Sequence, residues 1–356
     1  MSAERSGQAI YVETLKGQLA TGGARGFDGG RQLSTDGTSR MNREVQVRIC
    51  EGLGVRLPGP TRRLNHLIQT DQGENVKKLS CLLSLTVLWP YALARAQLYP
   101  PNEMGVSLGQ WYTLVPDLES SKKFWAVLGG KAIQIDGTAV MKFPGVLVFL
   151  AKGDPTGGSV GTGINHVGFG VPNVLDVVAK LQAAGYKVNR VSNSPLNGQH
   201  VSQLTNPDGV EVELTEEAGV DPYPRIADGL TIESNHIHFS FGPVTEEGRK
   251  EMQAWYVKQF GAKPRPLGRE LTGDIPGVKF MRFGFPSETL VPTKGRAVDH
   301  IGFEIKNLQE FCKKLEANGV KIDQPYSKTR HKSFASAGLT DPWGVSIELT
   351  EGLNRF

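Results

Sequence analysis

Apolar and polar residues alternate over short runs from Gln110 onward, and each set of runs is broken once by a helical period. In Asp299-His300-Ile301-Gly302-Phe303-Glu304-Ile305, the residues Ile301, Phe303 and Ile305 share one face and His300, Gly302 and Glu304 the other. That is the period of a half-buried strand. Farther on, Val345, Ile347 and Leu349 form an apolar face and turn Glu348 away from the core with Ser346 and Thr350. A tight Asp341-Pro342-Trp343-Gly344 turn precedes them, Pro fixing φ and Gly accepting the backbone such a turn needs. The pattern of opening strand, helix and three short strands occurs four times, opening at Gln110, His166, His236 and His300. Helices are predicted over Leu118 to Leu128, Val174 to Ala184, Glu246 to Phe260 and Leu308 to Asn318, each stopped by a glycine (Gly129, Gly185, Gly261, Gly319) where a C-cap belongs.

The second and fourth units repeat each other in sequence. The run from Leu204 to Glu216 matches that from Leu339 to Glu351 at nine of thirteen positions, and the offsets from His166 to His300 and from Leu204 to Leu339 are 134 and 135 residues. A constant offset over two separated motifs argues for an internal duplication.

The rest of the chain differs in kind. Residues 1–75 are rich in Gly and Arg without apolar period and read as a disordered leader. Lys77-Lys78, an apolar run from Leu79 to Leu93 and Ala94-Arg95-Ala96 then give 76–96 the make-up of a signal peptide, too short to span a bilayer. Its internal position fits translation starting near Val76 from a non-Met codon, with the leader an artefact. The chain is thus expected to be exported, periplasmic or secreted, with no stable membrane span once processed. Residues 1–96 hold 13 Lys and Arg against 8 Asp and Glu, leaving 27 against 28 for the remainder. A near-neutral folded part gives no electrostatic case for nucleic acid. Only Cys312 remains after residue 96, so neither an intrachain disulfide nor a CxxC metal site is expected.

The four units, the His-x-Gly-Phe-x-Val openings and the Glu-Leu-Thr-Glu closings resemble the vicinal oxygen chelate superfamily, which includes glyoxalase I, type I extradiol dioxygenases and bleomycin-resistance proteins. The resemblance covers roughly residues 108 to 353. It implies an α+β fold of four βαβββ modules paired into two half-barrel domains. In chain order these are residues 97–218 (modules one and two) and 230–356 (modules three and four), joined by a linker at 219–229. One chain then supplies its own paired modules, so a monomer suffices. Each pair would close an incomplete barrel around a divalent metal.

Carried over position by position, the second pair offers His236, His300 and Glu348, two imidazoles and a carboxylate, which favours Fe(II) with Zn, Mn or Ni as alternatives. The first pair offers Gln110, His166 and Glu213, and is expected to be the poorer metal site because Val148-Phe149-Leu150 puts an apolar residue where glyoxalase I needs a fourth ligand. His238 shares the face of His236. Thr329-Arg330-His331, followed by the Asp-Pro-Trp-Gly turn and Glu348, resembles the extradiol dioxygenase signature with Gly338 in place of its Tyr. His331 and His238 are therefore the candidate catalytic proton carriers. The implied function is a metal-dependent dioxygenase or lyase/isomerase that chelates two neighbouring oxygens of a small substrate. The alternative is a non-catalytic small-molecule-binding protein of bleomycin-resistance type.

Overall fold

The computed structural model describes residues 98–194, 197–216, 232–242, 245–267, 270–287 and 289–356. The leader, the signal-like segment and the expected linker lie outside the described residues. Unit one comprises β1 (Val106–Val115), α1 (Leu118–Leu128), β2 (Lys131–Ile135), β3 (Thr138–Phe143) and β4 (Val146–Lys152). Unit two comprises β5 (Ile164–Val171), α2 (Val174–Ala183), β6 (Arg190–Asn193), β7 (His200–Thr205) and β8 (Glu211–Glu216). Unit three follows with β9 (Glu233–Phe241), α3 (Glu246–Phe260), β10 (Lys263–Leu267), β11 (Glu270–Ile275) and β12 (Val278–Pro286). Unit four has β13 (Val298–Ile305), α4 (Leu308–Ala317), β14 (Ile322–Ser327), β15 (Ala335–Thr340) and β16 (Ser346–Glu351). The helix ends follow local chemistry. Asp117 Oδ1 accepts from Glu119 N and Ser120 N to start α1, and Gly129 (φ 116°) ends it in the left-handed region.

The sixteen strands form two eight-stranded sheets whose make-up corrects the expected domain pairing. Units one and four share one sheet, ordered β14-β15-β16-β13-β1-β4-β3-β2, and units two and three share the other, ordered β10-β11-β12-β9-β5-β8-β7-β6. We call them the outer and inner sheets, after the quarters of the fold that build them. Within a unit the opening strand lies parallel to its closing strand, with Gly168 opposite Glu213 and Gly302 opposite Glu348. That leaves one edge of each opening strand with unpaired backbone groups. The antiparallel pairs β1 with β13 and β5 with β9 satisfy them. Neighbours in sequence meet face to face instead. Helix α1 packs on α2, Trp111 meets Phe169 edge-on at 5.2 Å, and Phe260 of α3 lies 4.7 Å from Phe303 of β13. One large apolar core therefore joins the two sheets through their helix-covered sides.

The opposite face of the outer sheet carries a smaller cluster of Leu98, Val140, Leu147, Phe149, Phe334 and Leu353, against which Tyr112 and Phe356 pack. At the turn between β2 and β3, Asp136 accepts hydrogen bonds from Ser333 N (3.0 Å) and from Ser333 Oγ. This ties the hairpin tip of unit one to the β14–β15 loop of unit four, at the far ends of the sheet.

Candidate metal centre

In the inner sheet, the opening strands β5 and β9 run side by side and bring His166 and His236 to the closing-strand residue Glu213. One donor atom from each lies within 4.8 Å of the other two. His166 Nε2 is 3.5 Å from Glu213 Oε2 and His236 Nε2 is 3.3 Å from Glu213 Oε1. All three residues are buried. The ring nitrogens facing away are held by the preceding residue of each strand: His166 Nδ1 is 2.9 Å from Asn165 Oδ1 and His236 Nδ1 is 3.1 Å from Asn235 Oδ1. With Nδ1 as donor to an amide oxygen, Nε2 faces the centre with its lone pair, as a metal-ligating imidazole requires. His236 Nε2 has no hydrogen-bond partner among the described residues. Gly168 makes room for that ring, because a Cβ there would lie 2.0 Å from His236 Cε1.

The electrostatics suit a cation. Burial drives His166 down to about 3, so it stays neutral, with Glu213 opposing the shift. Burial alone would raise Glu213, but its contacts with His236 and His166 and the charge of Arg282 outweigh that and hold it well below the carboxylate range. Gln203 Nε2 also donates to Glu213 Oε2 at 2.8 Å. His238 Nδ1 lies 3.3 Å from His166 Nε2, and burial keeps this imidazole neutral too.

The outer sheet holds a second, differently furnished set. Gln110 Nε2 donates to Glu348 Oε2, His300 Nε2 is 3.4 Å from the same oxygen, and His331 Nε2 is 3.2 Å from Glu348 Oε1. His300 Nδ1 meets Asp299 Oδ1 at 2.7 Å. Burial alone would lower His300, but Asp299 and Glu348 outweigh it and raise its pKa; the contacts of Glu348 with His300 and His331, against burial, hold it at about 2. Tyr112 stacks on His300 at 4.4 Å, and His331 on Phe334 at 4.1 Å. Glu348 is thus met by Gln110, His300 and His331, as Glu213 is met by His166, His236, Gln203 and Arg282.

The structure therefore uses all six ligand-type residues but divides them differently from chain order. His236 does not join His300 and Glu348; it joins His166 and Glu213, while Gln110 takes its place in the outer sheet. The cause is the strand pairing, since each site draws on the two opening strands that share a sheet. For the same reason His238 and His331 belong to separate sites. Arg282 escaped the sequence reading because β12 lacks a Glu-Leu-Thr-Glu run. It lies opposite His238 as Glu213 lies opposite Gly168 and Glu348 opposite Gly302. The signal was spacing, for Arg282 follows His236 by 46 residues, Glu213 follows His166 by 47 and Glu348 follows His300 by 48. In unit one that place belongs to Phe149, opposite Tyr112.

Compared with known proteins, the chain matches the family model described as the Glyoxalase/Bleomycin resistance protein/Dioxygenase superfamily over residues 109–214 and 247–349, together more than half its length. Among solved structures it is similar to glyoxalase I from Zea mays, at 15% identity and a TM-score of 0.53, covering 70% of this chain and 93% of that one. It is also similar to a candidate dioxygenase from Bacillus subtilis, at 12% identity and a TM-score of 0.53, covering 69% and 85%. At these identities the likeness is one of fold. No curated protein matches in sequence.

Proposed function

Because the chain belongs to the Glyoxalase/Bleomycin resistance protein/Dioxygenase superfamily, we propose that it is a metal-dependent enzyme of glyoxalase or dioxygenase type whose divalent ion is held by His166, His236 and Glu213. The observation that carries this reading is the convergence of three buried donor atoms, all within 4.8 Å of one another. Ligand bonds of about 2.0–2.2 Å place neighbouring donors roughly 3–3.5 Å apart, and the contacts to Glu213 are 3.3 and 3.5 Å. Two imidazoles and one carboxylate favour Fe(II), with Zn, Mn or Ni as alternatives. When bound, such an ion stabilises negative charge on two neighbouring oxygens of a small substrate. The protein's own part is to fix both imidazole tautomers through Asn165 and Asn235, to keep Glu213 anionic, and to offer neutral His238 beside His166 as the group that accepts a proton. The outer set, in which the Gln110 amide stands where the inner site has a second imidazole, is read as the non-catalytic counterpart. Processing after Ala96 and export complete the proposal. Among the described residues no helix is long and apolar enough to cross a membrane.

The test is metal content after loading and desalting. Glu213→Gln and His236→Ala should each weaken binding by more than the roughly 10- to 100-fold that loss of a supporting partner costs, while Glu348→Gln and His300→Ala should leave stoichiometry unchanged. The reverse result would move the ion to the outer sheet. Loaded protein that consumes no oxygen on catechols and diols and isomerises no hemithioacetal would favour the binding-protein alternative.

A further inference from the structure

We propose that Arg282 selects the substrate of the inner site, and that this substrate carries a carboxylate next to its chelating oxygen, as a 2-oxo or 2-hydroxy acid does. The inference rests on the metal reading above. Arg282 occupies the closing-strand place that supplies Glu213 in unit two and Glu348 in unit four. A guanidinium there cannot ligate a cation, so unit three gives up a possible fourth ligand and sets a fixed positive charge beside the centre.

That guanidinium is oriented. Nε and Nη2 each donate to Glu270 at 2.6 Å, which leaves Nη1 directed at the centre, 3.5 Å from Glu213 Oε1. The side chains of Arg282 and Glu270 are 15% and 28% exposed, against 1% for His166 and His236 and 8% for Glu213, so the guanidinium and its partner are the most solvent-accessible part of the cluster. Charge points the same way. A divalent ion on neutral imidazoles is half balanced by Glu213, and Arg282 is balanced by Glu270, so the filled site lacks one negative charge. A chelating carboxylate supplies it and accepts from Nη1, a charge-assisted bond suited to a guanidinium. In the outer sheet the matching residue is Phe149, which offers neither charge nor donor.

The experiment uses the full chain loaded with Ni(II), which keeps oxygen chemistry out, and measures two probes by calorimetry: oxalate as the carboxylate chelator and catechol, bound as its phenolate, as the chelator without a carboxylate. Arg282→Met should keep one equivalent of Ni(II), weaken oxalate about 10- to 100-fold and change catechol less than about threefold. Since that variant strands Glu270, the paired Arg282→Met/Glu270→Gln variant should give the same separation. Arg282→Lys, which keeps the charge but not the fork, should fall between. Ni(II)-loaded wild type that does not take oxalate, or variants that lose both probes equally or neither, would overturn the assignment of Arg282 while leaving the metal reading intact. Wild type that holds no Ni(II) would overturn both.

Discussion

Gly168 and Gly302 sit at matched places in the two sheets and each exists to let another side chain in. A Cβ on Gly168 would lie 2.0 Å from the His236 ring, and one on Gly302 would lie 2.5 Å from Gln110 Cγ. Neither has a positive φ, so alanine is excluded by contact and not by backbone. Gly168→Ala and Gly302→Ala should each cost about 1–3 kcal/mol through overpacking, seen in urea melts, but only Gly168→Ala should also lower metal content. Equal metal loss in both would mean the sites are coupled. At this scale the sequence was informative about residue types and poor about grouping. Alternation on each strand exposed Gln110, His166, Glu213, His236, His300 and Glu348, because a polar residue on an apolar strand stands out. Which of them meet depends on hydrogen bonds between opening strands, and those strands look alike. Arg282 carried no motif, only a spacing.

The turns before β8 and β16 show how closely the elements repeat and where they have diverged. Asn206 Oδ1 accepts from Asp208 N and Val210 N at 2.9 and 2.8 Å; Asp341 Oδ1 accepts from Trp343 N and Val345 N at 2.9 and 2.7 Å. Asp341 Oδ2 also accepts from buried Tyr256 OH at 2.7 Å. Burial, only partly offset by these bonds, pushes the Asp341 carboxyl from 3.8 up to about 6. The folded chain thus holds this proton more tightly than the unfolded one. The resulting stabilisation is complete below about pH 4 and is lost as pH rises through about 6. Asp341→Asn keeps the turn, as Asn206 shows, and removes the titration. The stability of wild type relative to the variant should therefore fall by about 2 kcal/mol between pH 4 and 7, measured by urea melts across that range. Asp299 and Glu348, both held near 2, act with the opposite sign but are common to both proteins and cancel. A flat difference would show that Asp341 is not protonated in the fold. Elements were the most legible scale: α1 and α3 match their expected bounds and α2 and α4 end one residue early, because period and glycine stops are local signals.

At the scale of the whole molecule, Leu98 and the C-terminal Phe356 pack in one small cluster against the same face of the outer sheet, and Lys142 Nζ donates to Phe356 O at 2.8 Å. A permuted chain joining Phe356 to Leu98 by a short linker and opened between Glu216 and Ile232 should fold and keep its metal, since ends that lie near each other tolerate this rearrangement; circular dichroism and metal analysis would check it. Neither this nearness nor the pairing of unit one with unit four was legible in the sequence, because duplicated units offer equivalent edges and only packing between sheets chooses among them. The choice also sets an order of events in folding. Ile164 and its partner Phe239 are 75 residues apart, Val106 and Ile305 are 199 apart. The extra loop entropy is only about 0.9 kcal/mol. Time matters more. β13, which covers the edge of β1, ends 19 residues after β12, a lag of roughly 1–4 s at about 5–20 residues per second on the ribosome. Through that interval the inner sheet has all its strands while β1 waits with a bare edge, open to pairing with another nascent chain. Pulsed hydrogen exchange during refolding should find the amides of β5 and β9 protected before those of β1 and β13. Crowded synthesis should then produce aggregates that join through β1, with the inner sheet already closed.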